Sequence, residues 1–393
     1  NQTIHGVPVK GTLEDIPDLC KRYGIHSIII AIPTLKGSKL NHVIDLCVST
    51  HCAVQLLSDP QLVGSGTPQQ GAFRELNPAD FLSRDEVTLD TDQISGYLTG
   101  KTVLVTGGGG SIGSELCRQV MRFKPGKLLI FDIYENCAYE LLMELQQKYG
   151  RDIPVTVLIG SIRDKKRLDE VFETYHPTVV FHAAAHKHVP LMEVSPAEAV
   201  KNNVLGTKNL LVSASEHDVE RFVQLSTDKA VNPTSVMGCT KRICEMLIQT
   251  FAGNTDMKCV AVRFGNVLGS HGSVIPLFEA QIKKGGPVTL TDPNIERYFM
   301  TIPEAAQLVL QAGALAESGN IYVLDMGEPV KIMDLAKQLI RFYGYEPGVN
   351  MEIKIVGLRP GEKLYEELMM DEEQDKMRRT QHNKIFVASP RSI

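Results

Sequence analysis

Short apolar runs rich in β-branched residues recur along the chain from Lys101 onwards, and longer stretches of helical periodicity separate them. The runs are KTVLVTG, KLLIFD, VTVLIG, TVVFHAAA, RFVQLST and KCVAVRFG. Strands that alternate regularly with helices predict a parallel sheet with helices on both faces. We therefore expect a doubly wound α/β domain that opens at Lys101.

The part of the chain before this domain has a less complete α/β pattern. The stretch GVPVKGTLEDIPDLCKRYGIHSIIIAIP predicts a turn, a helix and a buried strand at residues 27–32, and NHVIDLCVSTHCAVQLLSD predicts a further helix and strand. The opening strand and glycine-rich turn of such a unit are missing. We therefore favour a truncated, partial α/β domain at residues 1–63 over a small complete one, followed by a linker at residues 64–100.

The pattern becomes less regular after Arg263. Loops with Gly and Pro alternate with a predicted helix in PEAAQLVLQAGALAE, a strand in NIYVLDMG and a helix in KIMDLAKQLIRFYG. We expect a catalytic domain at residues 101–393, with a nucleotide-binding core at about 101–264 and a smaller substrate lobe at about 265–370. The charged stretch DEEQDKMRRTQHNK predicts a solvated helix or tail.

Composition narrows the possible partners and compartments. A chain of 393 residues with 43% hydrophobic content is large enough for two domains with cores of their own. A net charge of −5 argues against nucleic acid as a partner. Eight Cys without a CxxC pair predict reduced thiols rather than a disulfide framework. The sequence shows no signal peptide, and it has no apolar run close to the roughly 20 residues that a membrane span needs.

A glycine-rich turn follows the first strand of the main domain. The stretch VLVTGGGGSIGSEL places Gly107, Gly110 and Gly113 between a predicted strand and a predicted helix. Glycines at these positions allow a tight turn whose backbone approaches a pyrophosphate at the helix N-terminus. Asp132 ends the next strand, where an acid accepts a hydrogen bond from the adenosine ribose. No Arg or Lys follows it closely, so the sequence favours NAD over NADP.

Several further motifs resemble those of one enzyme superfamily. TGGGGSIG, FHAAAHKHVP and NNVLG are similar to motifs of the extended short-chain dehydrogenase/reductases, whose fold is a Rossmann-type sheet with a smaller C-terminal substrate lobe. Together with STDKAVNPTSVMGCTKR, RFGNVLGSHGSVIPLF and RPGEKLYEEL, they resemble the large nucleotide-sugar 4,6-dehydratases of bacterial polysaccharide and glycan biosynthesis. The resemblance covers about residues 101–368. It implies UDP-N-acetylglucosamine as substrate and a place on the cytoplasmic side of the inner membrane for this fragment.

The resemblance also implies a reaction and its residues. A 4,6-dehydratase oxidises C4 by hydride transfer to NAD, eliminates water between C5 and C6, and returns the hydride to C6. Thr227 would hold the C4 hydroxyl, Asp228 would be the acid at C6, and Lys229 would take the C5 proton. An acid in this role needs a raised pKa and a base needs a lowered one. Burial shifts both pKa values in the required direction and a nearby opposite charge reverses both shifts, so the outcome depends on where the two side chains point.

Met237 stands where the superfamily normally has tyrosine. Lys241 follows four residues later, on the same face of a predicted helix. In the family such a lysine binds the nicotinamide ribose, and the large dehydratases commonly carry Met at the tyrosine position. We hypothesise that the C4 proton leaves by a relay through Thr227 or an ordered water to Asp228 or Lys241. The alternative is that Met237 is a helix core residue over a non-catalytic site.

Further contacts follow from the resemblance. Arg297 and Arg359 would clamp the diphosphate because guanidinium groups match phosphate oxygens, and Glu362 would hold a ribose hydroxyl. His186 and His188 form an HxH pair without an acidic or Cys partner, so no metal site is predicted. The remaining substrate contacts are Lys187, Asn266, His271, Gly272, Ser273, Val274 and Ile275. The remaining cofactor contacts are Ser111, Ile112, Ser161, Ile162, Ala183, Ala184, Ala185, Leu225, Ser226 and Val267.

Two other functions stay open. A UDP-sugar 4-epimerase needs neither a C5 base nor a C6 acid, so the TDK sequence argues against it. A non-catalytic NAD-binding sensor is opposed by the retained Thr227, Asp228, Lys229 and Lys241. The configuration of the product at C5 is open as well, with retention favoured by the resemblance. We expect a dimer or higher homo-oligomer paired through the helices near residues 197–212 and 236–251.

Overall fold

The computed structural model describes residues 3–32, 35, 37–57, 73–77, 80 and 87–388. The strands are β1 (Thr3–Ile4), β2 (Val7–Pro8), β3 (Ser27–Ile30), β4 (Ala53–Leu57), β5 (Phe73–Glu75), β6 (Thr102–Thr106), β7 (Lys127–Asp132), β8 (Val155–Ile159), β9 (Val179–His182), β10 (Arg221–Leu225), β11 (Lys258–Arg263), β12 (Asn266–Val267), β13 (Val288–Leu290), β14 (Glu296–Arg297), β15 (Phe299–Met300), β16 (Ile321–Leu324), β17 (Val330–Lys331), β18 (Ile353–Ile355), β19 (Arg378–Arg379) and β20 (Ile385–Ala388).

The α-helices are α1 (Ile16–Tyr23), α2 (Gly37–Val48), α3 (Thr91–Leu98), α4 (Ser111–Arg122), α5 (Glu135–Tyr149), α6 (Lys165–Tyr175), α7 (Val189–Val194), α8 (Pro196–Ala199), α9 (Gly206–Glu216), α10 (Val236–Ala252), α11 (Val274–Lys283), α12 (Ile302–Ala314), α13 (Ile332–Phe342) and α14 (Asp371–Gln374). Short 3-10 helices lie at Leu13–Asp15 and Asp228–Ala230, and a π-helical stretch lies at Val200–Leu205. Among the described helices, none has both the length and the apolar character needed to pass through a bilayer.

The chain forms two compact units. The first comprises Asn1–Glu86, Gly272–Asn294 and Val330–Val356, and the second comprises Val87–His271, Ile295–Pro329 and Gly357–Ile393. Part of the predicted linker therefore packs with the second unit, since Ile94, Tyr97 and Leu98 of α3 are buried in its core. Much of the predicted linker, residues 64–72 included, lies outside the described residues.

The first unit contains the predicted helix–strand alternation. α1 is followed by β3, and α2 by β4; β3 and β4 pair in parallel, and β5 pairs antiparallel with β4. α1 ends at Gly24, which has a φ of 59° and serves as a left-handed C-cap. β13 and β18 form a second parallel pair in this unit. The first unit is therefore built from three separate segments of the chain.

The second unit is built on one large sheet, in which the six predicted strands are β6 to β11. The strand order is β19-β20-β16-β11-β10-β9-β6-β7-β8, parallel from β8 to β16 and antiparallel at β20 and β19. The chain runs outwards in one direction from β6 to β8 and in the other from β9 to β16. This order is the Rossmann-type arrangement that the pattern predicts, and its switch point lies between β6 and β9.

Side chains alternate between the two faces of the sheet, as strand geometry requires. Val103 and Val105 of β6 lie in a core cluster that includes residues of α4 and α12. Leu104, between them, lies in a second cluster with residues of α6 and α9. Both faces of the parallel sheet are therefore covered, and its carboxyl edge carries the loops described below.

The charged C-terminal stretch differs in one respect from the prediction of a solvated helix or tail. Most of its residues are exposed, but Glu373 on α14 is only 4% exposed. Its carboxylate pairs with the fully buried Arg263 at the end of β11, at 2.6 Å from Nη1. A buried arginine needs acidic partners, and a local charge pattern does not reveal a partner so distant in sequence.

Candidate active site

The glycine turn lies at the switch point of the sheet. Gly107 follows β6 with a φ of 67°, and α4 begins at Ser111. A side chain on Gly107 would lie 2.6 Å from the backbone nitrogen of Ala184, and one on Gly113 would overlap the Gly107 carbonyl oxygen. These two positions therefore require glycine for a close approach of backbone to backbone.

Asp132 lies beside this turn, as its spacing predicts. Its Oδ2 accepts a hydrogen bond from the Gly109 backbone at 2.8 Å, and its Oδ1 accepts one from the Tyr134 backbone at 2.9 Å. The hydrogen bond from Gly109 thus joins the acid at the end of β7 to the glycine turn after β6. The tight turn, the helix N-terminus and the adjacent carboxylate fit a dinucleotide.

Three consecutive residues after β10 form a hydrogen-bonded group around one carboxylate oxygen. Asp228 Oδ1 accepts hydrogen bonds from the Thr227 hydroxyl at 2.8 Å and from Lys229 Nζ at 2.9 Å. Lys229 Nζ also donates to Asn266 Oδ1 at 3.3 Å. Asp228 is completely buried, and its Oδ2 has no partner among the residues that the structure describes. A hydroxyl and an amine thus share one acid.

The pairing of Asp228 with Lys229 decides a question that the sequence left open. Burial alone would favour the neutral amine, but the Asp228 and Glu366 carboxylates outweigh it and raise the pKa of Lys229. A base needs the opposite shift. In this structure the two side chains point towards each other, so the lysine rests as an ammonium.

Glu366 belongs to this group although the sequence analysis did not single it out. Its Oε1 lies 3.6 Å from Lys229 Nζ and 3.9 Å from Arg297 Nε. Burial raises the pKa of its carboxyl above the usual range. The only sequence signal is its place four residues after Glu362 in RPGEKLYEEL, in a segment without regular secondary structure.

α10 places Lys241 behind the end of β10. Lys241 Nζ donates to the Leu225 carbonyl at 2.6 Å, and burial lowers the pKa of its amine. Met237, one turn earlier, is 3% exposed and packs with Met192 and Ala199 in a small apolar cluster. The position that usually carries tyrosine therefore offers a packed thioether and no proton.

The predicted cofactor contacts lie on several strand ends of the same sheet. Ser226 donates its hydroxyl to Glu245 Oε1 at 2.7 Å. The Ser111 hydroxyl meets the backbone nitrogen and the Nδ1 of His271, each at 3.2 Å. The others are Ser161 and Ile162 after β8, Ala183, Ala184 and Ala185 after β9, Leu225 at the end of β10, Val267 in β12, and Gly110 and Ile112 at the start of α4. Their contact with a cofactor stays a prediction.

The predicted diphosphate ligands differ in their surroundings. Arg297 is 8% exposed, and its guanidinium donates to the carbonyls of Lys363 and Leu364 at 2.7 and 3.0 Å. It thereby fastens the segment that carries Glu362 and Glu366. Arg359 is exposed and bonds to Glu362 Oε1 at 3.1 Å. Arg359 is thus open to solvent, whereas Arg297 is buried between main-chain carbonyls and the carboxylates of Glu362 and Glu366.

The other predicted substrate contacts are distributed over both units. Lys187 is exposed after β9, and Asn266 joins the Lys229 group. Gly272, Ser273, Val274 and Ile275 belong to the first unit, at the start of α11, whereas the TDK residues belong to the second.

A parallel sheet with this switch point, a glycine turn leading into α4 and a lysine on α10 behind the end of β10 define an extended short-chain dehydrogenase/reductase. Residues 103–390 match the family model described as polysaccharide biosynthesis protein. The chain belongs to this polysaccharide biosynthesis family.

Similar proteins are known in several bacteria. The capsular polysaccharide biosynthesis protein CapD of Staphylococcus aureus is 54% identical over 92% of this chain and 61% of its own length. A UDP-N-acetylglucosamine 4,6-dehydratase (inverting) of Campylobacter jejuni is 34% identical over 68% of this chain and 76% of its own length. A UDP-glucose 4-epimerase of Rickettsia canadensis is 36% identical over 70% and 80%. This chain thus spans only about 61% of the CapD relative.

A solved structure shares the fold. The X-ray structure of Pen from Bacillus thuringiensis is 35% identical, with a TM-score of 0.69, covering 74% of this chain and 90% of its own.

Proposed function

We propose that this chain is a nucleotide-sugar 4,6-dehydratase that converts UDP-N-acetylglucosamine to a UDP-2-acetamido-2,6-dideoxy-4-keto-hexose. The observation that carries the proposal is the pair of hydrogen bonds that Asp228 Oδ1 accepts from Thr227 and Lys229. An acid and a base in direct contact, with a hydroxyl on the same acid, suit a reaction that moves three protons within one sugar.

The turn with Gly107 and Gly113 and the adjacent Asp132 would hold the dinucleotide. We favour NAD over NADP because Asp132 would meet the ribose hydroxyl, and a 2′-phosphate beside a carboxylate would be repelled. Bound there, NAD would accept a hydride from C4 and return it to C6. Lys241, whose amine lies at the end of β10, would hold the nicotinamide ribose.

Gly113→Ala tests the turn. We expect dinucleotide affinity to fall about tenfold or more, because a methyl group against the Gly107 carbonyl strains the turn by about 1–3 kcal/mol. The measurement is calorimetric titration with NAD. Gly96→Ala in α3 is the control, since its added methyl meets no atom within 4 Å. Equal NAD affinity in both variants would contradict the role of the turn.

Asp228 and Lys229 hold the protons that the elimination needs. The resting pair holds one proton, on Lys229, whose Nζ lies 2.9 Å from Asp228 Oδ1. The amine can act as a base only after it has given this proton to water, and exclusion of water by the bound sugar then favours the neutral amine, because buried charges lose their hydration. Lys229 then takes the C5 proton, and Asp228 protonates the departing C6 hydroxyl, which leaves as water. Lys229 returns a proton to C5 when C6 is reduced.

Thr227 offers an exit for the C4 proton that does not need tyrosine. Its hydroxyl already donates to Asp228 Oδ1, whereas the Lys241 amine donates to the Leu225 carbonyl. We therefore favour the relay from the C4 hydroxyl through Thr227 to Asp228. This proton reaches Asp228 as C4 is oxidised, and it is the proton that Asp228 then gives to the C6 hydroxyl. Lys229 returns to C5 the proton that it took there, so the proton count of the site closes over one cycle.

Sequence identity does not separate the epimerase from the dehydratase, because the relatives with these two names are 36% and 34% identical to this chain. The chemistry of the two reactions does. An epimerase returns the hydride to C4 and needs no acid or base for C5 and C6. A buried Asp–Lys pair would have no catalytic role at C5 and C6 in that reaction. This supports the dehydratase.

The test is incubation with UDP-N-acetylglucosamine in D₂O, with the product followed by mass spectrometry and proton NMR. Loss of one water and deuterium at C5 is the expected result. An unchanged formula with inverted C4 would replace the proposal with an epimerase, and NAD binding without any turnover would replace it with a sensor. The coupling constants assign retention or inversion at C5.

Met237→Tyr tests the proposed tyrosine-free relay. We expect no gain in kcat and a lower melting temperature, because a larger side chain must enter the apolar cluster with Met192 and Ala199. Met143→Tyr, at a 39% exposed position of α5, is the control. A large gain in kcat in Met237→Tyr would mean that the methionine site is defective.

Assembly and location form the last part of the proposal. Val200, Leu205, Ile243 and Met246 are exposed apolar residues on the helices predicted to pair between subunits, and they suit a homodimer or higher oligomer. The resemblance supports a location of this chain on the cytoplasmic side of the inner membrane. Size-exclusion chromatography with light scattering and fractionation of cells would test the two points.

A further inference from the structure

Glu366 is a buried acid that the proton steps proposed above leave unused. It is 9% exposed, and its Oε2 is buried without a hydrogen-bond partner among the described residues. Burying a carboxylate costs free energy unless its charge is matched. Its Oε1 faces two cations, Lys229 and Arg297.

Three oxygens surround the Lys229 amine. They are Asp228 Oδ1 at 2.9 Å, Asn266 Oδ1 at 3.3 Å and Glu366 Oε1 at 3.6 Å. An ammonium group has three donors, so each oxygen can face one of them. The oxygens come from the loop after β10, from β12 and from the segment after Gly357. Residues far apart in sequence therefore fix one nitrogen atom.

The electrostatic consequence follows from the proposed role of Lys229. As this amine takes the C5 proton it becomes positive inside a buried site. A negative charge within about 4–6 Å favours the charged form. Glu366 Oε1, at 3.6 Å from Lys229 Nζ, lies within that range.

We propose that Glu366 is a positioning residue that holds the Lys229 amine beside Asp228 and Asn266 and stabilises its ammonium form as the proton leaves C5. The inference rests on the proposed function and adds a residue to it. The surroundings of Glu366 shift the pKa of its carboxyl in both directions. Burial and the Asp228 charge raise the pKa of Glu366, while Lys229, Arg297 and Lys363 lower it.

Glu366→Gln tests the inference, because it removes the charge and keeps the size. We expect the pKa of Lys229 to fall by about one unit. The readout is competitive acylation with acetic anhydride across pH, quantified by mass spectrometry on the peptide that carries Lys229, without substrate. With UDP-N-acetylglucosamine, kcat should fall about tenfold while KM stays near the wild-type value, because the effect passes through Lys229.

Glu367→Gln is the matched control. Glu367 is the next residue, with a side chain 44% exposed that pairs with Lys363 at 3.4 Å. We expect this variant to keep both the Lys229 pKa and kcat. If Glu366 has only a structural role, Glu366→Gln should lower the melting temperature and leave the pKa of Lys229 unchanged.

An unchanged pKa of Lys229 in a folded Glu366→Gln variant would overturn the inference. If that variant does not fold, Glu366→Asp keeps the charge and should keep the pKa of Lys229 raised. A wild-type Lys229 pKa at or below that of an ordinary lysine would overturn the inference without any variant. If the pKa of Lys229 falls in the variant but the wild type does not dehydrate the sugar, the electrostatic coupling between Glu366 and Lys229 is supported and the proposed function is contradicted.

Discussion

Lys229→Met lowers kcat for dehydration about 10³-fold while the protein stays folded; this is the largest effect that we expect on activity. The reason is that no other amine in the described site can take the C5 proton from the same place: Lys241 donates to the Leu225 carbonyl behind β10. The measurement is single-turnover formation of the 4-keto product, with thermal unfolding to check the fold.

Lys229→Arg separates the base from the charge. Arginine keeps a cation beside Asp228 and Glu366 but cannot give up its proton near neutral pH. We expect it to be as inactive as the methionine variant. Lys101→Met, at a partly exposed lysine that pairs with Glu220, is the control and should be fully active. An active Lys229→Arg variant would mean that Lys229 supplies charge and that the base lies elsewhere.

Arg263→Leu has the largest expected effect on stability. Arg263 is fully buried and bonds through Nε to Glu245 at 2.7 Å and through Nη1 to Glu373 at 2.6 Å. Removing it leaves the buried Glu373 carboxylate without this cation and leaves Glu245 with its ion pair to Arg242, which costs about 3–5 kcal/mol in the free energy of unfolding. Chemical denaturation measures this loss.

A surface arginine gives the matched comparison. Arg118 also bonds two glutamates, Glu115 and Glu144, but its side chain is 34% exposed. Arg118→Leu should cost about 1 kcal/mol or less, because water screens the pair. Equal losses in the two variants would contradict the dependence on burial.

The same ion group predicts a pH dependence. Burial opposes ionisation of Glu245, but the Arg263 guanidinium, together with hydrogen bonds from Ser226 and Arg242, outweighs it and lowers the pKa of that carboxyl. A lowered carboxyl pKa gives stability that is present above the unfolded-state pKa and is lost as pH falls through the folded-state value. Acid should therefore destabilise the wild type more steeply than Arg263→Leu in denaturation curves measured from neutral pH downwards.

Local sequence rules determined much of the fold and part of the site. The six strands of the nucleotide-binding core, the glycine turn and Asp132 were all predictable, because strand and helix periods and turn chemistry act over a few neighbouring residues. The spacing between the turn and Asp132 also follows from one βα unit of fixed geometry. The TDK motif was recognisable only through the family resemblance, because local rules alone predict an ordinary loop at the end of a strand there.

The tertiary structure decided what those residues face. That Lys229 points at Asp228, that Glu366 completes its surroundings and that Arg297 binds main-chain carbonyls all depend on contacts between segments up to 137 positions apart, such as Lys229 and Glu366. The burial of Glu373 against Arg263 is a contact of the same kind, across 110 positions. Charge states in the site follow from these distances and from burial, and neither is a property of neighbouring residues in the sequence.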